Sequence, residues 1–404
     1  MPSTTESQST PLLAARAQNI EPFYAVAIFR EAMELAAKGR AMILSVGEPD
    51  FPTPPSVVAA AHAALLRGET HYTVALGIPQ LRRAIAEQYR ACYGTEVDER
   101  RVIVTSGASG ALLLAFGALA DPGSEFLMAD PGYPSNRAIL SFCSARAVLI
   151  PVSAAERFQL TADLVRQHWT AQTRGVMIAS PANPTGTTIP HDELEKIAAV
   201  VRERGGTLVV DEIYHGLTYG HRPPTAASLG SDVFVVNSFS KFYCMTGWRL
   251  GWLLAPEPYV EAIERMAQHL FIAPPTPSQW AGVAALEPEN VSIFRAQCEE
   301  FRIRRDYLVP ALNGLGLTVA CEPDGAFYAY ADCSRFATDS WRFTRELLHQ
   351  AGVAITPGRD FGQHRASDFV RFSFTCSIPE LQEAVRRIGE FLNTGSATGW
   401  AVAP

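Results

Sequence analysis

The sequence predicts an α/β protein: a three-layer αβα large domain around a mostly parallel seven-stranded sheet, plus a smaller α+β domain. Three observations predict it. Seven short apolar runs (RVIVTSG, EFLMADP, AVLIPV, GVMIASP, TLVVDE, VFVVNS and LGWLLAP) recur between residues 101 and 256, alternating with helical stretches. The runs are apolar throughout instead of alternating with polar residues, so their strands are buried on both faces, as in a parallel sheet covered by helices. At 404 residues the chain exceeds what one small core needs, and its character changes after Pro274-Pro275.

The elements follow in order. An N-terminal arm carries EAMELAAKG, a helix-like run closed by Gly39, with Lys38 where a cation suits the C-terminal dipole. The turn-rich SVGEPDFPTPP precedes helices near 55–67 and 78–93, and the seven strands come next. Beyond residue 275 the sequence predicts a long helix at roughly 285–312, the segment LTVACEPDGAFYAYAD, a shorter helix near 339–351, the strand FVRFSF and a final helix to about 393. This gives a large domain at 48–284, a discontinuous small domain from 12–47 and 285–393, and tails at 1–11 and 394–404.

The totals exclude several classes. Hydrophobic content of 48%, charged content of 19% and a net charge of -7 describe an enzyme-sized globular protein and argue against nucleic-acid binding. Seven scattered cysteines without a CxxC pair indicate neither a disulfide framework nor a zinc site. The start, MPSTTESQST, lacks the features of a signal peptide, and ALLLAFGALA (111–120) is too short to span a bilayer. A cytoplasmic protein without membrane contact is the expectation.

Ligands in such sheets bind beyond the carboxyl ends of the strands, which directs attention to Ser106-Gly107, Asp130, Ser180, Asp211 and Ser238. The chain has only three lysines. Lys38 and Lys196 have helical, surface explanations, but Lys241, in SFSKFYCMTGWRLGW (238–252), has none. In VIVTSGASGALLLAF a strand runs through a small-residue turn into a helix, so the amides of Ala108 and Ser109 suit an anion site, although taken alone an ordinary glycine turn is the favoured reading. Asp211 ends an apolar run with Tyr214 three residues on. It is either a helix cap or a buried carboxylate that needs a cationic partner. Asn183 lies between two prolines in SPANPTG, and Tyr133 in DPGYPSN could stack on a flat ligand or pack in the core. Arg371 interrupts the apolar FVRFSF, either facing solvent or binding a carboxylate with its fork.

Taken together, these features describe pyridoxal phosphate chemistry: a lysine for the aldehyde, a helix end for the phosphate, an Asp for the ring nitrogen and an Arg for a substrate carboxylate. The chain resembles the class I/II aminotransferases of the fold-type I pyridoxal phosphate superfamily from about residue 12 to 392. The resemblance rests on GEPDF (47–51), HYTVALGIPQLR (71–82), SGASGAL (106–112), SPANPTG, DEIY (211–214), SFSKFYCMTGWRLGW, PGRDFG (357–362) and FVRFSF. It implies that Lys241 is the Schiff-base lysine and the base that moves the α-proton, while Asp211 pairs with the ring nitrogen. It further implies that Tyr214 and Asn183 hold the ring hydroxyl oxygen, Tyr133 stacks on the ring, and Ser238, Arg249, Ser109 and the Ala108 amide hold the phosphate. The glycines at 247 and 251 are expected to let the chain turn closely there. Tyr72 would reach the partner subunit's phosphate, which implies a homodimer with shared active sites. Arg371, helped by Asn183 and the Gly47 backbone, would clamp the substrate carboxylate.

The activity implied is transfer of an amino group between an α-amino acid and a 2-oxo acid. FIAPPTPSQW (271–280), where a second arginine for a dicarboxylate is sought, has none, so a neutral or aromatic donor is expected, with Phe23 and Tyr24 lining its end of the pocket. A carbon–sulfur β-lyase is the alternative within the cofactor class. A non-catalytic sensor would carry a DNA-binding domain, for which about forty N-terminal residues leave no room.

Overall fold

The computed structural model describes residues 13–18 and 20–395; the expected tails at 1–11 and 394–404 lie outside them, apart from Thr394 and Gly395. The strands are β1 (Met42–Ile43), β2 (Val102–Thr105), β3 (Glu125–Asp130), β4 (Arg146–Pro151), β5 (Thr173–Ala179), β6 (Thr207–Asp211), β7 (Phe234–Ser238), β8 (Gly251–Leu254), β9 (Tyr328–Asp332), β10 (Val353–Ala354), β11 (Thr356–Pro357) and β12 (Phe369–Ser373). Seven of them form one sheet in the order β2-β8-β7-β6-β5-β3-β4. Only β8 runs against its neighbours. The mostly parallel seven-stranded sheet read from the apolar runs is therefore present.

The reason for those uninterrupted runs is visible in the packing. Successive residues on a strand feed opposite cores. Val176, Val210, Val235 and Leu254 pack on one side, against helices that include Pro79–Tyr93 and His191–Glu203. Met177, Val209, Phe234, Val236 and Leu253 pack on the other, against Gly107–Leu119 and Glu257–Leu270. Every residue of β2, β7 and β8 is buried, while the edge strand β4 exposes Arg146 and Pro151.

The long helix expected at roughly 285–312 is Pro288–Gly314, preceded by a separate helix, Thr276–Ala285. Pro288 explains the break, because it lacks the amide needed inside a helix but suits a first turn. The helix near 339–351 is Ser340–Glu346 continued by a single wide turn, Leu347–Ala351, and stopped by Gly352 at φ +66°. Around these lie a small antiparallel sheet, β11-β12-β9, and a parallel pair, β1-β10. In the small sheet Arg371 of β12 stands opposite Tyr330 of β9 and Thr356 of β11. Among the described residues no helix is long and apolar enough to cross a membrane.

Glu212 follows β6 directly and points away from Asp211 into the core. It is 1% exposed and accepts hydrogen bonds from Thr225 Oγ1 at 2.9 Å and the Ala226 amide at 2.6 Å. Burial pushes its carboxyl up to about 8, and burial lowers the neighbouring His215 to about 3, so both are neutral near neutral pH. A folded-state value raised above the unfolded one means that this stabilisation is fully present below the ordinary carboxylate range and is lost as pH rises through about 8. Thermal melts from about pH 5 to pH 9 should show this decline in the wild type and a flatter profile in Glu212→Gln; parallel profiles would contradict it.

Candidate active site

The carboxyl ends of the buried strands open into one cavity of about 360 Å³. It is bounded by the turn after β2, the loops after β5 and β6, the segment after β7, β12 and the N-terminal helix Tyr24–Ala36. Lys241, Asp211, Tyr214, Asn183, Tyr133, Arg249, Ala108, Ser109, Arg371 and Gly47 all line it. Residues as remote in sequence as Gly47 and Arg371 thus share one wall, as strand-end geometry in an α/β sheet permits.

Asp211 closes β6 and is 6% exposed. Burial pushes its carboxyl up to about 6, against the opposing effects of the Ile213 amide, which donates to Oδ1 at 3.0 Å, and of the Lys241 charge. No ion pair reaches it among the described residues. Lys241 donates from Nζ to the Gly47 carbonyl at 2.6 Å. Burial lowers its ammonium to about 8, opposed by the carboxylate of Glu48 and assisted by the positive charges of Arg371 and Arg249. A lysine so placed has a sizeable neutral fraction near neutral pH and can act as nucleophile or base.

Opposite this pair, the helix Gly107–Leu119 points its first amides at the cavity. Gly107 adopts φ +73°, and a Cβ there would come within 2.7 Å of Arg249 Nη2, so the guanidinium lies directly on the helix N-terminus. Two positive features packed together on the cavity wall form a site for a doubly charged anion. Arg249 itself has φ +51° and donates to the Thr246 carbonyl at 3.1 Å. Gly251 is required by close approach, since a Cβ would meet the Gly107 carbonyl carbon at 2.8 Å and the Ala108 nitrogen at 3.0 Å. Gly247 has no such requirement: its surroundings are open and its φ is ordinary, which corrects the expectation made for it.

Arg371 is 3% exposed and does not face solvent. Nη1 donates to Asn183 Oδ1 at 2.9 Å, and Nη2 donates to the Ser45 carbonyl at 2.7 Å and to Thr356 Oγ1 at 3.2 Å. The guanidinium also stacks over the Tyr328 ring at 4.2 Å, while its buried Nε has no partner. A buried, held cation with an unused donor is a receptor for an anionic group.

Two sequence expectations come out differently. Ser238 is buried at the end of β7, where its hydroxyl donates to the Leu250 carbonyl at 3.0 Å and lies 2.9 Å from the Ser240 hydroxyl; it is Ser240 that lines the cavity. Tyr24 turns away and packs on Trp341, ring centroids 5.0 Å apart, leaving Phe23 on the cavity wall. Tyr72 lies on the chain surface, 82% exposed, and does not line the cavity of its own chain. The sequence reading missed Tyr328, whose hydroxyl is 2.9 Å from that of Tyr214 and which lines the cavity beside Gly47. Its position in the alternating FYAYAD run resembled that of any inward-facing strand aromatic.

These residues fit pyridoxal phosphate. A desolvated Asp211 without a cation suits a protonated ring nitrogen, the Arg249 and helix end suit a phosphate, and Lys241 suits an aldehyde.

Replacing Arg371 by Lys keeps the charge but removes the planar fork and the stack on Tyr328. The KM for carboxylate substrates should rise on the order of 30-fold to 100-fold, with a smaller effect on kcat. An unchanged KM would remove Arg371 from substrate binding.

Comparison with known proteins agrees with this geometry. The family model "Aminotransferase class I and II" matches residues 40–388. The valine–pyruvate aminotransferase of Mycobacterium tuberculosis is 43% identical over 386 residues, covering 95% of this chain and 99% of the relative. The aspartate/prephenate aminotransferase of Thermus thermophilus is 36% identical, covering 94% and 98%. The crystal structure of an aminotransferase from Mycobacterium tuberculosis superposes with a TM-score of 0.92 at 43% identity, covering 95% of this chain and 100% of that one. With a matching family model over most of its length, and relatives of this identity and coverage, the chain belongs to the class I and II aminotransferases.

Proposed function

We propose that this aminotransferase holds pyridoxal phosphate in the cavity and moves the amino group of a neutral, apolar α-amino acid to a 2-oxo acid such as pyruvate. One observation carries the choice of donor. The cations on the cavity wall are Lys241, Arg249 and Arg371, and each has a task at the reacting end, while the remaining wall includes Phe23, Val26, Phe29, Leu112 and Ile139. Among the described residues nothing on that wall would pair with a second carboxylate, whereas apolar contact would favour each buried methylene by about 0.8 kcal/mol. The valine–pyruvate relative supports the same reading. Relatives that act in transamination favour it over the β-lyase alternative.

When bound, the cofactor supplies an aldehyde that condenses with amines and a protonated ring that accepts the electron pair left on Cα. The chain supplies the rest. Arg371, fixed by Asn183, Ser45 and Thr356, would orient the substrate carboxylate and with it the Cα–H bond. Lys241 would take the proton from Cα and return it nearby, its basicity tuned by burial. Asp211 would keep the ring nitrogen protonated, and Tyr214, Asn183 and Tyr133 would hold the ring. Arg249, Ser109 and the Ala108 amide would hold the phosphate, with Ser240 in the position expected of Ser238.

We also propose a homodimer in which Tyr72 serves the partner's site. Tyr72 and Val74 are exposed, and their segment is held to the helix Thr276–Ala285 by Thr276 Oγ1, which donates to the His71 carbonyl at 2.8 Å, and by Gln279 Nε2, which donates to Thr73 Oγ1 at 3.0 Å. Seven cysteines without a disulfide support a cytoplasmic setting.

The chain's few lysines make the covalent claim easy to test. Borohydride reduction of the cofactor-loaded protein followed by peptide mapping should place the cofactor on Lys241 and leave Lys38 and Lys196 unmodified. Adding single amino acids to the loaded protein, and following cofactor amination by absorbance, should show valine, leucine or phenylalanine reacting far faster than aspartate. Lys241→Ala should lose at least about a thousandfold in that rate. Label on another lysine, or aspartate as the best donor, would overturn the respective claim.

A further inference from the structure

The helix Tyr24–Ala36 places Val26 and Phe29 on the cavity wall, with Phe23 at its entry, yet it has no cap of its own. Its N-cap residue is Phe23, whose side chain offers no acceptor, and its first turn has no acidic residue. A helix start without such partners leaves amides unsatisfied. The missing acceptor comes from the other end of the chain. Asp360, 2% exposed, accepts from the Tyr24 amide on Oδ1 at 2.8 Å and from the Ala25 amide on Oδ2 at 2.7 Å.

Asp360 is held in turn. It follows β11, whose Thr356 accepts from Arg371. Its carbonyl accepts from Arg137 Nη2 at 3.2 Å, and the same nitrogen reaches Glu21 at 3.3 Å, just before the helix. A few residues on, the Gln363 and His364 amides donate to the buried carboxylate of Asp130 at 3.0 Å, at the end of β3. One short loop therefore connects the carboxylate-binding strand, the central sheet and the start of the apolar wall.

We propose that Asp360 is a positioning residue for donor specificity: its carboxylate, acting as a cap supplied from a distant part of the chain, fixes the N-terminal helix so that Phe23, Val26 and Phe29 close on the apolar side chain of the donor. It touches neither cofactor nor substrate. The proposal rests on the functional reading above and adds the residue that makes the wall rigid. The Asp360 carboxylate makes no hydrogen bond to Lys241, Asp211 or Arg371, so the loss on removing the cap falls on donors that use the wall. A donor bearing only a methyl group has little area to lose.

The test compares wild type, Asp360→Ala and Asp360→Asn; the asparagine keeps one acceptor oxygen and guards against a variant that simply fails to fold. In the cofactor-loaded proteins, Asp360→Ala should raise the KM for leucine and phenylalanine by about tenfold, the size of a lost cap. The KM for alanine and all kcat values should stay within about twofold, and Asp360→Asn should fall between. A second readout is independent of turnover: amide hydrogen exchange across residues 24–36 should quicken by about tenfold in Asp360→Ala and less in Asp360→Asn. Equal losses for alanine and leucine, or a fall in kcat shared by all donors, would overturn the specificity role. Unchanged exchange would overturn the capping role. Wild-type protein inert toward every amino acid would sink the proposed function, and the exchange comparison would still decide whether Asp360 holds the helix.

Discussion

A carboxylate taken out of water at the end of a buried strand is the constraint on which this structure turns. Asp211 ends β6 inside the central sheet, where burial penalises its charge and one amide is its only hydrogen-bond donor among the described residues. Such a group is costly unless a cation joins it, so the fold keeps an energetic demand at this point. Lys241 is committed to the Gly47 carbonyl and does not meet that demand by direct pairing. A protonated cofactor ring nitrogen would meet it. The remaining positive groups stand elsewhere on the cavity wall, Arg249 on the helix end and Arg371 beside Asn183.

The Arg371 guanidinium joins parts of the chain that are remote in sequence. Arg371 in β12 is held by Asn183 beyond β5 and by Ser45 beyond β1, so the small sheet and the large sheet meet on one guanidinium. Its orientation therefore depends on how the two packing units sit together. Asp360 extends the same logic to the N-terminal helix, which has no cap of its own and borrows one from the loop beyond β11. Arg371 and the start of the N-terminal helix are thus each fixed by hydrogen bonds from segments distant in sequence.

Much of this was legible in the sequence, for physical reasons that differ by residue. Buried parallel strands have to be apolar on both faces, so seven uninterrupted runs located the sheet and its strand ends. Those ends in turn pointed to Asp211, the 108–109 amides and Asn183. Lys241 stood out because it lacked a helix face to explain it. What was not legible depended on side-chain direction. Ser238 and Ser240 are close neighbours and chemically equivalent in sequence; only packing shows that the former is tied to the Leu250 carbonyl while the latter lines the cavity. The two adjacent aromatics of the arm divide in the same way, Phe23 facing the cavity and Tyr24 facing Trp341. Tyr328 and Asp360 act through contacts with residues far away in the chain, Tyr214 and Tyr24, which no local pattern records.

The proposed pairing of Asp211 with a cationic ring is tested most directly by an experimental structure of the protein loaded with pyridoxal phosphate. The ring nitrogen should lie about 2.7–2.9 Å from an Asp211 carboxylate oxygen, with the phosphate between Arg249 and the Ala108 and Ser109 amides. A ring nitrogen facing away from Asp211, or a phosphate bound elsewhere, would contradict it.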